Sequence, residues 1–127
     1  MKYEIKFRET EGGIVVDVPD AISPVAILLM GDIQGSCQPW LDLINRVLSG
    51  ESNYEESTGN NCTLEINKET TKIIEGESEC VIETNELKKI IELWSEKKFG
   101  KINVKILNGV MLITSSGATH RQYFFVK

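Results

Sequence analysis

The chain has 127 residues, 41% hydrophobic and 26% charged, with a formal net charge of −5. Such a composition supplies one globular core and excludes an intrinsically disordered chain, so a single domain over residues 1–127 is expected. Its negative charge argues against non-specific binding to nucleic acid or to an anionic membrane.

Tyr3, Ile5 and Phe7 alternate with Glu4, Lys6 and Arg8, the two-residue period of a half-buried strand. That start lacks the long apolar stretch of a signal peptide. Gly12-Gly13 offers a turn, and Ile14 to Val18 reads as the returning strand. The longest apolar run, Val25 to Met30, falls far short of the ~20 residues of a membrane helix. It is expected to be a buried strand.

Pro39 suits a first helical turn, and Trp40, Ile44, Val47 and Leu48 follow at helical spacing, with Leu41 and Leu43 widening the stripe. Gly50 is placed to end this helix. Glu51 to Gly59 is polar and without periodicity, and reads as a surface loop. Cys62, Leu64 and Ile66 then alternate with polar residues. A turn at Asn67 to Thr70 leads to a returning strand around Lys72 to Glu75, and Cys80-Val81-Ile82 forms a further short strand.

The second helix is predicted from Thr84, read as its N-cap, through the apolar face of Leu87, Ile90, Ile91 and Trp94 to Gly100. Beyond it, Asn108-Gly109 fits a type I′ turn, which needs positive φ at both central residues. Such a turn pairs Ile106 with Met111 and Val104 with Ile113. Gly117 marks another turn, and Tyr123 to Val126 is a last strand. The expected fold is α+β: a mainly antiparallel β-sheet of hairpins and meander with two amphipathic helices packed on it.

Charge is unevenly spread. Residues 1–50 carry a net −3, residues 51–86 a net −8, and residues 87–127 a net +6. Gathered on one side, the middle carboxylates would attract basic proteins and repel nucleic acid. The bland reading of the same residues is a solvated face that aids solubility. Lys97, Lys98, Lys101 and Lys105 come without a nucleic-acid motif and read as a solvated helix end and hairpin edge.

Chemistry is harder to find. His120 has no activating partner at recognisable spacing. Cys37, Cys62 and Cys80 are scattered, which fits separate buried thiols in a reducing cytoplasm and no metal clip. Gly31-Asp32-Ile33-Gln34-Gly35-Ser36 lacks the lysine of a phosphate loop, so its glycines read as turn residues joining strand to helix. No catalytic residue, cofactor or metal is assigned.

The segment Gly59 to Ile66, then Ile82-Glu83-Thr84-Asn85-Glu86-Leu87 with Ile90, Ile91 and Trp94, carries a resemblance that the Trp40–Gly50 helix strengthens. Together, over roughly residues 36–95, they resemble small immunity proteins of bacterial contact-dependent growth inhibition and related polymorphic toxin systems. The resemblance implies a cytosolic inhibitor, not an enzyme, that binds a cognate toxin domain, often a basic nuclease. It transfers no contact residues. From charge alone, Glu51, Glu55, Glu56, Glu75, Glu77 and Glu79 are the candidate toxin-binding surface. Two other classes remain open. A ligand-binding or enzymatic domain would use Trp40, Trp94 and Phe99 to line a pocket between sheet and helices. A subunit of an assembly would expose an apolar edge at Tyr123 to Val126.

Overall fold

In the computed structural model, residues 1–100 are described in full, together with the backbone of three strands at 102–107, 110–115 and 121–125. The chain begins with a hairpin, β1 (Lys6–Thr10) and β2 (Gly13–Asp17). A short helical segment follows: Asp20–Ile22, then α1 (Ser23–Ile27), then a widened turn, Leu28–Asp32. Helix α2 (Gln38–Leu48) leads into a meander of β3 (Glu55–Thr58), β4 (Cys62–Ile66), β5 (Thr70–Glu75) and β6 (Ser78–Glu83), which pair in that order and all antiparallel. Helix α3 (Thr84–Phe99) follows directly. Strands β7 (Ile102–Leu107), β8 (Val110–Ser115) and β9 (Arg121–Phe125) form a second meander. The fold is α+β and mostly antiparallel sheet, as expected.

The pleat divides the four-stranded sheet. Cys62, Leu64, Ile66, Thr71, Ile73, Cys80 and Ile82 point inward and are buried. Against them pack Leu87, Ile90, Ile91 and Trp94 from α3, and Ile44 and Val47 from α2. Trp94 is 1% exposed, and its ring stacks on Phe7 of β1 at 6.2 Å between centroids. Burying one large apolar side chain is worth about 1.5–3 kcal/mol, so this inward layer is a main source of cohesion. Among the described residues no helix is long and apolar enough to cross a membrane.

Three local expectations are corrected. Val25 to Met30 is helical, not a strand. Pro24 occupies the first turn, where its missing N–H costs nothing. Ile22, Val25, Leu28, Leu29 and Asp32 are buried at helical spacing, while Ile27 and Met30 face out. A short apolar run lacks the periodicity that tells a buried strand from a buried helix. This adds a third helix to the two expected.

The polar stretch from Glu51 to Gly59 is not all loop, because Glu55–Thr58 is the edge strand β3. Its residues have little intrinsic preference for a strand, and the ladder to β4 holds them. Thr84 begins α3 but makes no capping bond. Its hydroxyl donates instead to the Asn67 carbonyl at 2.5 Å and lies 2.8 Å from the Thr71 hydroxyl. Since Thr84 has one proton to give, Thr71 must be the donor of that second bond. The start of α3 is thereby tied to the β4–β5 turn. The pairings predicted for the Asn108-Gly109 hairpin, Ile106 with Met111 and Val104 with Ile113, are those of the backbone. Asn108, Gly109, Gly117 and His120 lie outside the described residues, as do the side chains of the Tyr123 to Val126 edge.

Candidate functional site

The outward face of the four-stranded sheet is built by the same pleat. Strand register places Glu56, Glu65, Lys72 and Val81 in one row across the four strands. Thr58, Thr63, Ile74 and Glu79 form the next row. Tyr54 enters at the β3 corner, where its hydroxyl donates to Glu56 Oε2 at 2.9 Å. That bond, and the negative charges of Glu56 and Glu65, push the tyrosine hydroxyl pKa upward.

Three carboxylates therefore share these two rows with one ammonium, and Glu83, outward by the same alternation, adds a fourth at the end of β6. Lys72 lies 3.9 Å from Glu79, a long contact. Glu56 stands directly opposite Glu65, a like-charge pairing that weakens a sheet. Amid the charges sit apolar side chains: Val81 is 57% exposed and Tyr54 43%, with Ile74 half-buried.

The six carboxylates selected by charge are not brought onto one face. Glu56 and Glu79 lie on the outward face. Glu55 points the other way, in the row of Ile66, and pairs with Arg46 of α2 at 2.6 Å with its side chain 18% exposed. Glu75 sits in the inward row beside Cys62 and Ser78 at the sheet end. Glu77 occupies the β5–β6 turn after Gly76, whose φ is +57°. Glu51 is exposed in the connection after α2. Glu65, Tyr54 and Val81 are the outward residues that charge counting missed. Alternation in β4 puts Glu65 outward, but its place beside Glu56 depends on recognising β3.

The Gly31 to Ser36 segment joins helix to helix and has a structural use. Ile33 N–H bonds to the Leu28 carbonyl at 3.0 Å, and this brings Asp32 inward. The buried Asp32 carboxylate accepts from the Asn61 N–H at 2.8 Å, the Asn61 side-chain amide at 2.9 Å and the Cys62 N–H at 2.8 Å. The approach is close enough to require glycine. A Cβ on Gly59 would stand 2.6 Å from Asp32 Oδ2, and one on Gly31 2.7 Å from Asn61 Nδ2. This clamp fixes the β3–β4 turn, and with it the edge of the outward face.

At the sheet's other end, Lys2 pairs with Glu83 and Tyr3 donates to it at 2.9 Å. The bonded Lys2 ammonium, with a backbone N–H and Tyr3, draws the Glu83 carboxyl down to about 2. Burial pushes all three thiols upward, Cys62 to about 12 with the Asp32 charge adding to the effect. Burial in apolar surroundings is the setting of structural thiols, not of reactive ones. Among the described residues no group of His, Cys, Asp or Glu gathers where it could hold a metal ion.

A cavity of about 360 Å³ lies elsewhere, between the β1–β2 turn, the Leu29–Gly35 segment and the end of α3. Trp94 and Phe99 line it, with Gln34 and Lys98, but Trp40 does not contribute to this lining. The buried indole N–H of Trp94 has no hydrogen-bond partner among the described residues.

No family profile matches the chain, and no solved structure matches it. An immunity protein of Bacillus cereus is 34% identical over 105 residues, covering 77% of this chain and 90% of the relative. Identity at that level over most of both chains shows shared descent, and the chain belongs to the family of this immunity protein.

Proposed function

We propose that the chain binds and neutralises a cognate bacterial toxin domain. The toxin is a basic nuclease carried as the C-terminal domain of a contact-dependent inhibition effector, and the contact is made through acidic side chains. The protein acts in the cytoplasm as a single domain, without cofactor or catalysis. The observation that carries the immunity part of this reading is the 34% identity to an immunity protein across 90% of that relative. The carboxylates of the sheet support the acidic contact, because a nuclease groove that holds phosphate also attracts Glu side chains. Glu51, Glu55, Glu56, Glu75, Glu77 and Glu79 are the acidic set, with Glu56 and Glu79 best presented.

The test is calorimetry at two salt concentrations against the toxin domain encoded beside this chain, with growth of cells expressing both. One-to-one, salt-sensitive binding that abolishes toxicity is expected. A domain that neither binds nor is neutralised overturns the reading. The cavity beside Trp94 favours a second reading, a small-ligand site. Its mark would be a rise in melting temperature with acceptor-bearing amphipathic anions that Lys98→Ala removes.

A further inference from the structure

Within the immunity reading, and resting on it, we infer that the outward face of β3–β6 is itself the docking surface. Its occupant is a basic patch of the toxin that sets a cationic side chain over Glu56 and Glu65 and an apolar group on Ile74 and Val81. Three features lead there. Val81 is the most exposed of the large hydrophobic residues described, and it lies on the sheet, not at a frayed end. Diagonally adjacent on the neighbouring strand is Ile74, so the two make a small apolar step on one side of the face.

Charge specifies the occupant. Glu56 and Glu65 oppose each other directly across β3 and β4, and Lys72 on β5 stands beside Glu65 while also reaching toward Glu79. An arginine or lysine from outside, placed over the Glu56–Glu65 pair, would relieve the repulsion. The free protein thus holds a like-charge pair, bordered by Lys72 on one side, that a cation from a partner would further ease. Tyr54, hydrogen-bonded to Glu56 and 43% exposed, adds an aromatic side chain beside the same spot.

Size sets a limit on the face alone. Four strands at about 4.8 Å spacing and four to six residues long project about 330 Å². A stable interface takes about 800 Å² per partner. This face is therefore the centre of the contact, and the β5–β6 turn with Glu77 would extend it as rim.

The experiment titrates the adjacent toxin domain into the full chain and three variants. Val81→Arg is expected to weaken binding by about 30-fold or more, the loss typical of a central anchor. Glu65→Lys is expected to slow association and flatten its salt dependence. Glu92→Lys, the same charge reversal on the exposed side of α3, is expected to change affinity less than about 3-fold, as an off-interface charge does. Thermal melting of each variant checks the fold, and Val81→Ser replaces Val81→Arg if the latter melts early. Wild-type binding left intact by both Val81 and Glu65 variants overturns this inference alone. Absence of wild-type binding overturns the immunity reading, and this inference falls with it.

Discussion

The two faces of the β3–β6 sheet are built from alternate residues of the same strands, yet they do opposite work. The inward face holds Leu64, Ile66, Ile73 and Ile82, each 1% exposed or less, against α2 and α3. The outward face keeps like charges opposed and leaves Val81 in solvent. One face serves the chain's own stability. The other carries an exposed apolar residue and opposed like charges that stability alone does not call for, and these are the features on which the proposed docking surface rests.

That contrast can be broken by substitution. The largest stability effect belongs to the inward face. Ile73→Ala removes a fully buried side chain from a central strand and is expected to cost about 2–5 kcal/mol in chemical denaturation. Asp32→Asn comes next. Asp32 accepts three hydrogen bonds through two oxygens, and an amide turns one acceptor into a donor facing an N–H. A loss of about 2–3 kcal/mol is expected by the same measurement. Thr84→Val removes the tie from α3 to the Asn67 carbonyl and leaves Thr71 without its acceptor, at about 1–2 kcal/mol. Outward, Val81→Ser is expected to change stability by no more than about 0.5 kcal/mol. A large loss there would erase the distinction between the faces.

The smallest effect concerns the N-terminal contact, and it depends on pH. The Glu83 carboxyl titrates at about 2 in the fold against an ordinary 4.5. A depressed carboxylate contributes stability that is complete above the unfolded value and lost as pH falls toward the folded one. The contribution should therefore fade between pH 4.5 and 2. Acid melts of wild type and Glu83→Gln should differ above that window and converge at its lower end. Because the pair is solvent-exposed, the difference is expected to be small and reduced by salt.

Much of the inward face could be read from residues in order. Cys62, Leu64 and Ile66 announce their side by alternation, and Leu87, Ile90, Ile91 and Trp94 announce theirs by helical spacing. The Asn108-Gly109 pair anticipated a register the backbone adopts, since a two-residue turn leaves one way to align the strands. The outward face was less accessible. Glu55–Thr58 has no apolar residue to mark a period, so strand β3 was hidden, and with it the opposition of Glu56 to Glu65. Charge counting also placed Glu55 and Glu56 together, although successive residues of a strand point to opposite sides.

What the sequence determined by itself is therefore local: which strands and helices bury which side, and that the middle of the chain is acidic. Periodicity encodes burial, and composition encodes charge. Only the tertiary structure decided that Val25 to Met30 would coil, because an apolar run buried among neighbours suits either conformation. It also decided that Asp32 would clamp the β3–β4 turn 29 residues away. And it selected which carboxylates share a face, because cross-strand neighbours are set by register and not by distance along the chain.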